Sequence, residues 1–106
     1  MSPDIRESDW KVFKELHHIL VQRYCERFLK EVERVVADGS KTPHNRYGEI
    51  YSLTKHATKE LARAFDDKRR STALVQLHII HSLGLLTEEE LSRFSPEAQK
   101  EITFRI

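Results

Sequence analysis

Apolar residues recur every three or four positions along most of this chain, which is the spacing of a buried helix face. Residues 8–38 contain no glycine or proline, so the pattern there predicts one helix of roughly 46 Å at about 1.5 Å per residue. The apolar positions advance by four residues, and each such step turns the face by about 40°. They are Leu16, Leu20, Tyr24, Phe28, Val32 and Val36. A face that rotates in this way is covered by different neighbours at its two ends.

A second helix is predicted from Pro43, after a short turn at 38–41. Its apolar residues form a single stripe, which predicts antiparallel packing on the first helix. The stripe consists of Tyr47, Ile50, Tyr51, Ala57, Leu61, Ala64 and Phe65. Residues 66–71 interrupt the stripe without a glycine or proline, so the helix either ends there, with Ser71 capping the next one, or continues with a bend. The interruption favours an end.

The rest of the chain predicts shorter helices. Residues 71–83 are apolar nearly all round, which is typical of a central, buried helix, and Gly84 supplies a C-terminal cap. Thr87 and Glu90 have the spacing of a capping box that opens a fourth helix. All three prolines follow a Ser or Thr, a pair that suits the N-cap and first position of a helix. These pairs are Ser2-Pro3, Thr42-Pro43 and Ser95-Pro96. A fifth helix is therefore predicted after Ser95.

The predicted fold class is all-α. The architecture is a helical bundle with a long N-terminal helix, a second long antiparallel helix, a buried third helix and one or two short C-terminal helices. The composition agrees, because 39% apolar and 33% charged residues with only three glycines and three prolines suit helices better than a sheet with many turns. With 106 residues the chain is predicted to form a single domain, 1–106.

The composition also predicts a compartment. Cys25 is the only cysteine, so no disulfide can form within the chain and a reducing environment is expected. No apolar run approaches the roughly 20 residues that a membrane span requires. The first 15 residues carry Asp4, Glu7 and Asp9 instead of a signal sequence. A soluble, cytoplasmic protein is therefore expected.

The length of the first helix predicts self-association. A compact domain of this size has a radius of gyration near 13 Å and a diameter of roughly 33 Å, so a helix of roughly 46 Å would overhang it. The overhanging apolar residues and the apolar tail 102–106 need cover, which a homodimer provides. The candidate interface residues are Tyr24, Phe28, Val32, Val35, Ile102 and Phe104. The predicted function is that of a non-catalytic interaction or scaffold protein that self-associates, with another protein as a further possible partner.

A row of basic residues supports a different hypothesis, binding of nucleic acid or another polyanion. Residues 39–83 contain eight Lys or Arg against four Asp or Glu. The candidate residues are Lys55, Lys59, Arg63, Lys68, Arg69 and Arg70. The net charge of the chain is only +1, and Asp66 and Asp67 lie within this basic segment. A solvated or partner-facing charged surface is therefore favoured over a nucleic-acid site.

The sequence contains few residues in a catalytic or metal-binding pattern. His78 and His81 are three residues apart on one predicted helix, which makes them a candidate metal pair. A single cysteine and the lack of a His-Glu-x-x-His motif favour a packing role for both. His18 precedes Cys25 by seven residues, about 10 Å along a helix, too far to activate the thiol. No phosphate loop or nucleophile elbow is present, so neither catalysis nor a cofactor is predicted.

Residues 77–94 read as helix, turn, helix, but Glu88, Glu89 and Glu90 would place three carboxylates against the phosphates of DNA. This segment also resembles short C-terminal hairpins that mediate oligomerisation, through Leu77, Leu85, Leu86 and Leu91. Over its whole length the chain resembles small uncharacterised all-helical proteins of bacteria. The segments that carry this resemblance are Ser8-Asp9-Trp10-Lys11, Phe65-Asp66-Asp67, Arg69-Arg70-Ser71 and Gly84-Leu85-Leu86-Thr87-Glu88-Glu89. It implies no function.

Overall fold

A computed structural model of the protein describes residues 5–104, and across this range the regular secondary structure is helical, without strands. The helices are α1 (Glu7–Ala37), α2 (Pro43–Phe65), α3 (Ala73–Ser82), α4 (Glu88–Leu91) and α5 (Pro96–Thr103). The predicted all-α fold with its long N-terminal helix is confirmed. The helix start predicted at Ser2-Pro3 and the last residue of the apolar tail, Ile106, lie outside the described residues.

The long helix α1 sets the shape of the molecule. It begins with Glu7 and Asp9 in its first turn, where carboxylates interact favourably with the helix dipole. It ends before Asp38, whose carboxylate accepts hydrogen bonds from the backbone N–H of Ser40 at 3.1 Å and from its hydroxyl at 2.6 Å. The described chain measures 51 × 27 × 24 Å and has a radius of gyration of 16.5 Å. The molecule is thus elongated along α1, as the overhang predicted.

The second half of α1 packs against α2 of the same chain. The Thr42 hydroxyl caps α2 by accepting from the backbone N–H of Asn45 at 3.1 Å. Near the turn, Arg46 on α2 donates to the carbonyl of Val36 at 2.6 Å. The apolar face at the far end of α1 was expected to meet a second subunit. At Tyr24 and Val35 it is instead buried, because the short turn folds α2 back onto it.

The connection between α2 and α3 is a true break. Asp66 is extended, and Asp67 adopts a left-handed conformation with φ +57°, which aspartate tolerates better than most residues. The alternative of a continuous, bent helix is therefore wrong. Ser71 does not cap α3, since that helix begins at Ala73. The Thr72 hydroxyl just before it donates to the carbonyl of Arg69 at 3.2 Å instead of capping the helix.

The central helix α3 packs on α5, α2 and α1, and its residues Leu77 and Ile80 are completely buried. Two arginines one turn apart on α1 hold the α3–α4 connection. Arg23 donates to the carbonyl of Leu85 at 2.5 Å, and Arg27 donates to the carbonyl of Leu83 at 2.5 Å. The three shorter helices are therefore fixed to one side of α1.

No helix within residues 5–104 is long and apolar enough to cross a membrane.

Candidate functional site

The α1–α2 hairpin extends beyond the three short helices. Among the α1 residues that bond to the α3–α4 connection, Arg27 lies nearest to the hairpin turn. We call residues 28–56 the arm. Tyr24 marks its base, donating from its hydroxyl to Glu60 Oε1 at 2.8 Å. Burial, together with this hydrogen bond, raises the pKa of Tyr24 to about 12, so the hydroxyl remains a donor throughout the physiological pH range.

The arm exposes a concentration of large apolar side chains. Leu29 is 57% exposed and Val36 is 55% exposed on α1, while Tyr47 is 70% and Tyr51 is 61% exposed on α2. Three other large apolar residues within 5–104 are exposed, by 38% to 78%, and they are scattered over the rest of the molecule: Ile19, Val75 and Phe104. Single exposed apolar residues are ordinary on a protein surface, whereas a cluster marks a contact surface.

The exposed residues lie on one side of the arm. Around α1, Leu29 and Val36 are only about 20° apart, and Tyr47 and Tyr51 are about 40° apart around α2. The opposite side of the arm is polar, with a groove of about 260 Å³ between the helices that is lined by Glu31, Arg34, Val35, Asp38, Lys41, Glu49 and Leu53. There Lys41 and Glu49 pair at 2.7 Å. The apolar side is therefore distinct from the polar groove.

We define the arm face as the apolar side of the arm, which consists of Leu29, Val32, Val36, Tyr47 and Tyr51. Val32 is half-buried between the helices and the other four residues are exposed. The two helices are antiparallel, with Arg46 beside Val36 near the turn and Glu60 beside Tyr24 at the base. This register places Val36 next to Tyr47 and Val32 next to Tyr51. The five side chains thus form one continuous surface across both helices.

Charged residues border the arm face along both of its long edges and continue beyond it toward the base of the arm. On α1 the next positions around the helix are Glu26 and Glu33, and on α2 they are Lys55 and Lys59. All four are exposed. Glu26 makes a loose pair with Lys30 on its own helix at 3.9 Å. One edge of the arm face is therefore acidic and the other is basic.

The structure divides the predicted interface residues into three groups. Tyr24, Val35 and Ile102 are buried within the chain, while Phe28 and Val32 are half-buried and Phe104 is exposed. In addition, the predicted packing stripe of α2 includes residues that do not pack against α1. Tyr47 and Tyr51 are exposed because the contact with α1 is centred near Ala57, and both tyrosines lie roughly 80–120° away from it around the helix.

The six basic candidates do not form one uniform surface. Arg69 pairs with Asp67, and Arg70 pairs with Glu7 on α1 at 2.8 Å. Lys55, Lys59 and Arg63 form a row on the solvent side of α2, and within the described residues they make no ion pair. Lys68 lies in the loop after α2 and is exposed. The strongest positive charge is thus on α2, along and beyond the basic edge of the arm face.

The two histidine candidates lie against the core. A ring nitrogen of His78, Nδ1, donates to the carbonyl of Ile102 at 2.8 Å and so joins α3 to the last turn of α5. His81 is half-buried on the same helix. Within residues 5–104 no group of three or more His, Cys, Asp or Glu side chains is placed to hold a metal ion. The geometry gives His78 a structural role.

Another groove lies at the other end of the molecule, between the start of α1, α3 and α5. Its volume is about 700 Å³, and its lining includes Ile5, Leu74, Ala98 and Phe104. The buried Asp9 is also part of the lining. Both carboxylate oxygens of Asp9 already accept hydrogen bonds from Ser95, so this carboxylate serves the fold.

Comparison of the chain with protein-family models, with curated proteins and with solved structures finds no match.

Proposed function

We propose that this protein is a non-catalytic helical interaction protein that self-associates through the arm face. The observation that carries this proposal is the clustering of Leu29, Val36, Tyr47 and Tyr51 on one side of a hairpin that extends beyond the core. Tyrosine is enriched at protein interfaces, because its ring supplies contact area and its hydroxyl tolerates water.

We assign the protein to a reducing, cytoplasmic compartment because Cys25 has no second cysteine with which to pair.

The size of the arm face indicates how tight the association is. Two helices side by side are roughly 20 Å wide, and the arm face, which runs from Leu29 to Val36 on α1, extends for roughly 15 Å along them. A contact of about 300 Å² per copy follows, or about 600 Å² in total, which is the size of a weak, transient contact. The expected dimer therefore has a dissociation constant of about 100 µM or more and exchanges rapidly with the monomer.

Sedimentation velocity over a concentration range of about 1–500 µM tests the proposal. The double variant Tyr47→Ser, Tyr51→Ser removes most of the aromatic area while changing only exposed positions. Its dissociation constant is expected to rise at least about tenfold. The matched control is Phe104→Ser, which removes an exposed aromatic residue outside the arm and should leave the association unchanged. A wild-type chain that is monomeric throughout the range would refute self-association.

A second function, polyanion binding, is supported by the row Lys55, Lys59 and Arg63. Like charges at intervals of four residues repel one another weakly, so a bound anion would stabilise the row. In this case the affinity for a single-stranded oligonucleotide falls steeply with salt and is lost in the variant Lys59→Glu, Arg63→Glu. Failure to bind the oligonucleotide at low salt would exclude this function.

A further inference from the structure

The opposite charges on the two edges of the arm face restrict how a second copy can pair with it. Glu26 and Glu33 lie along the α1 edge, and Lys55 and Lys59 lie along the α2 edge. A two-fold dimer brings the same face of both copies together. The direction of the two-fold axis then decides which edges meet.

Two face-to-face arrangements are available. If the axis runs parallel to the helices, α1 of each copy lies on α2 of the other, and each acidic edge meets a basic edge. If the axis runs across the helices, α1 lies on α1 and α2 lies on α2, so that edges of like charge meet. Juxtaposed like charges disfavour a contact, and complementary edges favour it. The charge pattern therefore selects the parallel axis.

The position of Glu26 along α1 agrees with this selection. The register set by Tyr24 with Glu60 and by Val36 with Arg46 places Glu26 level with residues 57–58 of α2. A parallel two-fold axis preserves this level in the second copy. Glu26 of one copy then lies between Lys55 and Lys59 of the other, within about 4 Å of each along the helix axis.

The rest of the chain leaves the arm face open to such a partner. Arg27, which binds the α3–α4 connection, lies about 160° around α1 from Leu29. The short helices are consequently on the far side of the hairpin, and two copies can approach through their arm faces without contact between α3, α4 and α5. In this arrangement each helix is antiparallel to its neighbour across the interface, as in up-and-down bundles.

We propose that two copies of this chain pair through their arm faces about an axis parallel to the helices, with α1 of each copy on α2 of the other. This inference rests on the proposed function, since it specifies the arrangement of the same contact. The result is a four-helix bundle with both hairpin turns at the same end.

Charge reversal at the edges tests the arrangement by sedimentation velocity at low salt. The variants are Glu26→Lys with Glu33→Lys, Lys55→Glu with Lys59→Glu, and all four changes together. Each double variant gives both edges of a copy the same sign, so its dissociation constant is expected to rise about tenfold. The quadruple variant exchanges the two edges and restores complementarity, and its dissociation constant should return to within about threefold of the wild type. Circular dichroism verifies that each variant remains helical.

The outcomes separate this inference from the proposed function. The double charge variants could associate like the wild type while Tyr47→Ser, Tyr51→Ser still raises the dissociation constant. This result would overturn the arrangement and leave the arm-face contact standing. Weakening in the double variants without recovery in the quadruple variant would also overturn it. A monomeric wild type would overturn both the arrangement and the proposed function.

Discussion

Arg23 on α1 binds the carboxylate of Glu90 on α4 in a bidentate manner, with Nη1 2.8 Å from Oε1 and Nη2 3.1 Å from Oε2. The same carboxylate accepts the backbone N–H of Thr87 at 3.0 Å and so completes the α4 capping box. The hydrogen bond from Arg23 outweighs the opposing effect of burial and lowers the pKa of Glu90 to about 2. One side chain thus caps a helix and fastens it to α1.

This pair predicts a loss of stability in acid. In the unfolded chain Glu90 has a pKa of 4.5, and in the folded chain its pKa is about 2. The stabilisation is therefore complete above about pH 4.5 and is lost as the pH falls toward 2. A charge-assisted, bidentate contact of this kind contributes about 2 kcal/mol. Urea unfolding at intervals between pH 6 and pH 2 measures the loss.

The variant Glu90→Gln identifies the group responsible. Because glutamine does not titrate, the free energy of unfolding of this variant should depend less steeply on pH in the same window. Glu89→Gln changes the exposed neighbouring glutamate and should retain the wild-type slope. Equal slopes for wild type and Glu90→Gln would contradict the assignment.

His17 predicts a separate transition near neutral pH. Its ring lies edge-on between Phe13 and Phe65 and hydrogen-bonds to the carbonyl of Phe65 at 3.1 Å. Burial lowers the pKa of His17 below 6.5 despite this hydrogen bond. As the pH falls below 6.5, His17 is protonated in the unfolded chain before it is protonated in the folded chain. The free energy of unfolding therefore decreases from its value above pH 6.5 until the pH has fallen through the pKa of the folded state. NMR titration should give a value below 6.5. A value above 6.5 would contradict the effect of burial.

A buried aspartate at the start of α1 predicts a large mutational effect. Asp9 is 2% exposed, and its two oxygens accept from the backbone N–H and the hydroxyl of Ser95, each at 2.7 Å. Asp9→Ala removes both hydrogen bonds and should cost about 3 kcal/mol. Glu7→Ala, in the same turn, breaks only an exposed ion pair with Arg70 and should cost less than about 1 kcal/mol. Equal costs, measured by thermal or urea unfolding, would show that the Asp9–Ser95 contact contributes little.

Local signals in the sequence predicted the helix boundaries well. Thr42 and Ser95 cap the helices that follow them, each through a backbone N–H only three residues away. The capping box of Thr87 with Glu90 is equally local. Such contacts are readable from sequence because both partners belong to the same turn. The pairing of Arg23 with Glu90 and that of Asp9 with Ser95 join residues more than 60 positions apart, so no sequence spacing indicates them.

The candidate site was predicted less completely than the fold. The length of α1 correctly indicated an elongated molecule, but α2 covers Tyr24 and Val35 from within the chain. Helical periodicity identified the residues of the apolar stripe of α2, but it did not show which of them lie at the centre of the contact with α1. Small Ala57 and Ala64 are buried, so α2 turns this side toward its neighbours and leaves Tyr47 and Tyr51 at the margin. Only the packing of the two helices reveals which apolar residues remain exposed.

Substitution of two glycines by alanine is expected to change the free energy of unfolding in opposite directions. Gly84 follows α3 with φ +72°, and a Cβ there would make only an ordinary contact, 3.8 Å from Arg27 Nη2. Gly84→Ala should therefore cost about 1 kcal/mol through backbone strain alone. Gly48 lies within α2, and a Cβ added to it would point into open space, with no neighbouring side chain within 4 Å. Gly48→Ala should stabilise by about 0.5–1 kcal/mol, because alanine loses less conformational entropy in a helix.

Urea unfolding of both variants beside the wild type measures this difference. Since neither substitution meets a steric clash, the sign of each change reports the backbone conformation directly. A neutral Gly84→Ala would show that the turn after α3 relaxes out of the left-handed region, and the hydrogen bonds from Arg27 to this turn would then be expected to weaken. A destabilising Gly48→Ala would instead indicate that α2 is not helical at this position of the arm, and the surface formed by Tyr47 and Tyr51 would lose its framework.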